Sequence, residues 1–409
     1  MHAAVVFEEK RGRRTSSAIR AANRTRIVDA LRAQGPMTRA QLCESTGLCR
    51  ATVSVLVGEL FTRGLLIEQP ATNTRANGRP VTELSLNRAS GVGIGIDIGV
   101  RHIAVAVGDS ARNVYAERWW PRPVGHTSAD GIDTLLSSIQ EALREAHAEH
   151  DRLIGAAVGL AAPINARDGS IAAPDLLPGW AGEPLAQRLA EALDVPVRLE
   201  NVATLGALGE YVWGPAAGVT NLVYVKLASR VGAGLVLNGS LFRGAAGFAG
   251  ELGHVTVNRN GLLCRCGARG CLELYAGGAA MLRKLGRQPD AADGFDRLVT
   301  DAVSGDPAVL AVVTQAARFL GQGLAAVAKV LDPQRIVIGG ELWRLGEVMT
   351  PVLRHELGRY SFASRPQIQA SPLGRRATLL GALALALTKR GGTAQPTSDR
   401  HVPSPARIR

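Results

Sequence analysis

The sequence predicts a mixed α/β protein, a two-lobed α/β body behind a small helical head. Three observations lead to this. From residue 91 onward, runs rich in β-branched residues and glycine alternate with helical patterns, and a similar succession recurs after residue 220. Before residue 65 the apolar residues instead fall at helical spacing. Charge divides the chain at the same place. Residues 1–88 carry 14 Lys or Arg against 7 Asp or Glu, whereas residues 89–388 are almost neutral.

Taken in order, residues 1–22 read as a basic, flexible arm. Ile27, Val28 and Leu31 place a first helix over 23–34, ended by Gly35-Pro36. Thr38 can cap a second helix, Gly47 permits a tight turn, and a third helix from Arg50 aligns Val53, Leu56, Val57 and Leu60 on one stripe. Two strand-like runs, LLIEQ and VTELSLN, follow around PATNTRANGRP and read as a hairpin wing. Residues 23–88 are therefore expected to form a winged helix-turn-helix domain. A basic helix-turn-helix fits duplex DNA, whose counterions Lys and Arg displace. Small units of this kind also serve protein interaction. In the DNA reading, the start of the third helix enters the major groove, so Arg50, Thr52 and Ser54 are the expected contacts, and Arg79 at the wing tip reaches the minor groove. Cys43 and Cys49 bracket the turn and read as small buried residues rather than a redox switch.

The body, residues 89–388, begins with the strands GVGIGIDIGV, RHIAVAVGD and NVYAERWW, then a helix over 130–150 and the strand LIGAAVGLA. A helix at EPLAQRLAEAL and the strand VPVRLE complete the first lobe. NLVYVKLA, GAGLVLNG, further helices and RIVIGG repeat the scheme, so a ligand would sit between two lobes. The stretch from Asp306 to Asp332 reads as a helix pair, or as one helix broken near Gly321-Gln-Gly323. The Pro-, Ser- and Gly-rich residues 389–409 read as a disordered tail. No apolar run of about 18 residues and no signal peptide is evident, so a cytoplasmic protein with no membrane contact is expected.

GELGH followed by CRCGARGCLE, in a chain of this order, resembles the ROK proteins, which comprise sugar kinases and sugar-responsive repressors. The resemblance covers 23 to about 388 and implies an actin-like, ribonuclease-H-like body. The winged head matches the repressor branch. His254, Cys264, Cys266 and Cys271 form a His-x9-Cys-x-Cys-x4-Cys set suited to tetrahedral, structural zinc (Zn2+), with no position left for an activated water. Matching the family's sugar-contacting positions gives Asn201, Glu251, His254 and Glu273, groups that present paired donors and acceptors to vicinal hydroxyls.

Three departures from the kinase pattern bear on activity. Val202 stands where the kinases have the aspartate that accepts the sugar proton, and an isopropyl group is no base. Asp97-Ile-Gly-Val-Arg-His102 replaces Asp-x-Gly-Gly-Thr-Lys, and Ala228-Ser-Arg-Val-Gly232 replaces a Gly-Thr-Gly phosphate turn. The expectation is a non-enzymatic regulator, a repressor of carbohydrate genes. It would bind operator DNA as a homodimer or homotetramer and respond to a sugar effector, with Val202 favouring a pentose or deoxysugar. A sugar kinase with a DNA-binding head and a ligand-independent DNA binder are the alternatives.

Overall fold

A computed structural model describes residues 20, 23–24, 26–31, 34–62, 65–70, 82–87, 91–110, 112–147, 152–214, 219–360 and 366–388. The expected basic arm, save Arg20, and the expected C-terminal tail from 389 lie outside these residues.

In the head, residues 26–31 are helical and bury Ile27 and Leu31. Helix α1 (Arg39–Thr46) starts from Thr38, whose hydroxyl accepts from Gln41 N while the Gln41 side chain accepts from Thr38 N, a reciprocal cap that satisfies two end donors. Gly47 takes φ +66°, a left-handed turn that a side chain resists, and so turns the chain into α2 (Arg50–Thr62). Val53, Leu56, Val57 and Leu60 form the buried stripe of α2, as their spacing predicts. Strands β1 (Leu66–Pro70) and β2 (Thr82–Leu86) pair antiparallel, and Met37 bridges Leu84 to extend the ladder. The wing tip with Arg79 lies outside the described residues.

The first lobe holds β3 (Val92–Ile98), β4 (His102–Asp109), β5 (Val114–Pro121), α3 (Ser128–Glu145), β6 (Leu153–Leu160), α4 (Leu185–Leu193) and β7 (Val197–Asn201). Its sheet has the order β5-β4-β3-β6-β7. After α5 (Val202–Trp213), the second lobe repeats that order with β8 (Leu222–Leu227), β9 (Val231–Leu237), β10 (Ser240–Phe242), β11 (Arg335–Gly339) and β12 (Gln367–Ala370), arranged β10-β9-β8-β11-β12. In each sheet the first strand pairs antiparallel with the second and parallel with the strand that returns after the helix. The second lobe also carries α6 (Glu273–Ala276), α7 (Gly278–Lys284), α8 (Gly294–Ser304), α9 (Pro307–Leu331) and α10 (Leu345–Tyr360). The final helix, α11 (Ala377–Ala386), returns to the first lobe.

The lobes exchange helices at their junction. Helix α5, reached from the first lobe, packs on the second sheet, where Gly234 lets Ala203 O lie where a Cβ would be. Helix α11, reached from the second lobe, packs on the first sheet, where Gly95 admits the backbone of Leu379 and Leu383. The two helices cross in backbone contact, because Gly209 meets Ala377 O and Gly381 meets Leu205 O with no room for a methyl group.

One expectation about α9 is corrected. It is one unbroken helix of 25 residues. Its glycines do not break it but permit close approach, Gly321 to the Glu356 side chain and Gly323 to Leu272. It also has the length and mean hydropathy (1.3) of a membrane span, although half of that stretch is buried inside the second lobe. The polar Gln315, Arg318 and Gln322 interrupt the apolar run that a search for contiguous residues requires.

Candidate functional site

The cleft between the lobes holds about 690 Å³, including its open mouth, within the range of small-ligand sites. Asn201, Glu251, His254 and Glu273 all line it, with Val202, Lys226, Arg230, Arg265 and Glu341. The four residues come from three segments. Asn201 ends β7, Glu251 precedes and His254 ends a single helical turn, and Glu273 opens α6.

Asn201 has a structural duty that its motif did not reveal. Its Oδ1 accepts from Ala203 N (2.8 Å) and Thr204 N (3.3 Å), capping α5, and its Nδ2 donates to Ala162 O (3.0 Å). One amide N–H is left for a ligand. The neighbouring Glu200 accepts from Asn201 N and from Arg243 Nε, which fixes the strand end. Glu251 opens to the cleft. The enclosing wall raises its carboxyl above the ordinary value; His254, Arg265 and Arg230 oppose the rise and Glu273 adds to it. Glu273 forms an ion pair with Arg265 Nε (3.4 Å) and lies 3.9 Å from His254 Nδ1.

Behind the cleft, His254, Cys264, Cys266 and Cys271 offer four ligand atoms within 4.8 Å of one another. Cys264 Sγ lies 3.6 Å from His254 Nδ1, and Cys266 Sγ lies 3.5 Å from Cys271 Sγ. A tetrahedral zinc about 2.3 Å from sulfur and about 2.0 Å from nitrogen separates its donors by roughly 3.5–3.8 Å, which these two spacings match. Burial pushes the Cys264 thiol up, and burial together with the adjacent thiols takes Cys271 up to about 12. A divalent cation reverses that preference, since a coordinated thiol loses its proton. His254 turns Nδ1 toward the thiols, which leaves Nε2 for the cleft that the residue also lines. Gly267 (φ +89°) and Gly270 (φ +69°) supply the turns between the cysteines, and Gly270 packs directly on Asn258 O.

The two altered turns have acquired other partners. His102 Nε2 lies 3.1 Å from Asp97 Oδ2. Burial alone would raise the Asp97 carboxyl, but the charge and hydrogen bond of His102, with Lys226, hold it below its ordinary value. Val202 is buried at the first position of α5. Arg230 donates through Nη2 to Ala161 O (3.2 Å) and Leu176 O (3.3 Å) of the opposite lobe. Sequence reasoning missed Lys226, Arg230 and Arg265 as cleft residues. A lone basic residue in a strand or turn carries no signal of which cavity the fold will turn it into.

In the head, Arg50 and Ser54 are exposed at the start of α2. Thr52 is half-buried, with its hydroxyl 3.1 Å from Cys49 Sγ, and that contact lowers the exposed thiol's pKa. Val55 is 51 % exposed beside Ser54, an apolar residue of the size that meets a thymine methyl, and its position in the sequence gave no hint of this.

A family model described as the ROK family matches residues 93–389. A xylose repressor of Caldicellulosiruptor bescii is 30 % identical over 370 residues, covering 86 % of this chain and 92 % of the relative. A ROK family transcriptional regulator described as a homologue of the E. coli MLC protein superposes with a TM-score of 0.64 at 24 % identity, over 90 % of this chain and 98 % of that one. A ROK family glucokinase from Streptomyces griseus, solved with glucose and AMPPNP, gives a TM-score of 0.61 at 29 % identity, over 72 % of this chain and 99 % of that one. The repressor match, over 86 % of this chain, therefore takes in more of it than the kinase match, over 72 %.

Proposed function

The chain belongs to the ROK family, and on that premise we propose that it is a sugar-responsive transcriptional repressor whose effector is a pentose, D-xylose or a close relative. The observation that carries the reading is the convergence of Asn201, Glu251, His254 and Glu273 on one cleft, in a chain that also bears a helix-turn-helix head. Carboxylates, an amide and an imidazole at such a site pair with the hydroxyls of a sugar, and binding between two lobes favours their closed arrangement.

Zinc held by His254, Cys264, Cys266 and Cys271 is structural in this reading. It supplies a fixed crosslink, and the protein residues do the rest: Glu251 precedes the braced segment and Glu273 follows it, so both carboxylates are placed by it. The body is not a kinase. Val202 offers no proton acceptor, and the two turns that would face phosphates are engaged by His102 with Asp97 and by Arg230 with the opposite lobe. Val202 also supports the choice of effector, since a hydroxyl aimed at it goes unpaired at a cost of about 1–3 kcal/mol.

Arg50, Thr52 and Ser54 on α2, with Arg79 from the wing, contact operator DNA, Thr52 more weakly because its hydroxyl faces Cys49. Two such heads in a homo-oligomer read paired half-sites. Calorimetry with D-xylose and D-glucose, together with an ATP-coupled assay on both, tests the reading. D-Xylose should bind the more tightly, with neither sugar consumed. Sustained ATP turnover with either sugar would overturn it in favour of the kinase alternative.

A further inference from the structure

Arg101 stands in the turn between β3 and β4, yet its guanidinium belongs to the other lobe. Nη2 donates to Pro289 O (3.0 Å) and to Ala291 O (2.6 Å), and the guanidinium carbon lies 4.8 Å from the centre of the Phe295 ring. Phe295 is buried in the core of the second lobe at the start of α8. The first lobe thus grips the second at a carbonyl pair, both served by one guanidinium nitrogen, and at a ring face that the guanidinium covers.

The turn that carries Arg101 is held from behind. Gly99 N donates to His102 O (3.0 Å), and His126 Nε2 lies 2.9 Å from Gly99 O. Trp180 Nε1 donates to His126 Nδ1 (3.1 Å), which leaves the proton of a neutral ring on Nε2, directed at the Gly99 carbonyl. Burial lowers the His126 pKa and favours that neutral ring. On the far side of the cleft Arg230 makes the reciprocal bridge, from the second lobe to Ala161 O and Leu176 O of the first. Arg230 lines the ligand cleft and Arg101 does not.

We propose that Arg101 is a positioning residue that ties the lobes in their closed arrangement, and so sets effector affinity without touching the effector. The affinity part rests on the reading of the cleft as the sugar site; the tie itself does not. A ligand that selects the closed form binds in proportion to the fraction already closed, so loss of the tie weakens binding while every cleft contact is retained. Arg230 remains in place, and for that reason the loss is partial.

The test compares full-length wild type with Arg101→Ala and Arg101→Lys by hydrogen–deuterium exchange without ligand, then by D-xylose calorimetry. Arg101→Ala should speed exchange about tenfold at residues 288–295 and 99–102, leave β6 and β8 as protected as in wild type, and weaken D-xylose about five- to tenfold. Arg101→Lys should fall between, because an ammonium keeps donors for the carbonyls and loses the planar cation over Phe295. Unchanged exchange in those segments, or a uniform loss of protection through all strands, overturns the tie. Local loosening with no D-xylose binding by wild type keeps the tie and removes the pentose reading instead.

Discussion

Glu210 is a buried carboxylic acid on α5, 2 % exposed, where that helix meets the segment leading into α11. Ser371 Oγ donates to its Oε1. Burial raises its pKa to about 7, against smaller opposing effects from Ser371, the Leu373 backbone and Arg335. The consequence for stability has a definite sign. Between the unfolded value near 4.5 and the folded value near 7, the folded protein keeps a proton that the unfolded chain has lost, so stability falls as pH rises through that window and levels off above it. The full loss is on the order of 3 kcal/mol. Glu210→Gln keeps a partner for Ser371 and removes the ionisation. Urea unfolding should show the variant close to wild type at about pH 4.5 and exceeding it by about 3 kcal/mol at about pH 8. A wild-type stability curve that is flat across this range would place the proton elsewhere.

Among elements, the segment from Glu251 to Glu273 carries the four donors that could hold a metal. It has one three-residue helical turn, two isolated bridges, Thr256 with Cys271 and Leu263 with Arg269, and a set of turn hydrogen bonds, and it leaves Leu262 and Leu263 more than 60 % exposed. In the proposed reading, a metal held by His254, Cys264, Cys266 and Cys271 would add a crosslink to those backbone bonds. Cys271→Ser should lose the bound zinc measured by atomic emission and weaken the sugar by at least about tenfold, because both cleft carboxylates hang on this segment. Cys49→Ser, in the head, should change neither. Full zinc content and unchanged affinity in Cys271→Ser would remove the bracing role. This segment was legible in the sequence because a metal site is written in local spacing, as are the Thr38 cap, the Gly47 turn and the buried stripe of α2. What remained hidden depends on tertiary crossing. The exchanged helices α5 and α11 are apolar or small on nearly every face, so their pattern does not say which sheet they cover. Gly321 and Gly323 looked like breaks because the close packing they permit comes from Glu356 and Leu272, far along the chain. Arg101 and Arg230 looked only like lost kinase residues, since the carbonyls they reach lie in the opposite lobe.

At the scale of the molecule, the ligand cleft and the DNA-binding head are joined through the first lobe. Asp29 of the head pairs with Arg112 at the β4–β5 turn (3.1 Å), and β4 begins at the turn that carries Arg101. Closure of the lobes therefore has a physical route to the orientation of α2, by way of the β4–β5 turn that Asp29 of the head meets. A sugar can alter DNA affinity only as far as it binds the two arrangements unequally, which a cleft shared between lobes provides. The most direct test is fluorescence anisotropy of a labelled duplex, selected by the purified protein from random-sequence DNA, titrated with D-xylose at fixed salt. The expected result is a loss of DNA affinity of about tenfold or more as the cleft fills. An unmoved binding curve with D-xylose, and with every monosaccharide of a broad panel, would contradict the account and leave a DNA binder whose cleft reports nothing.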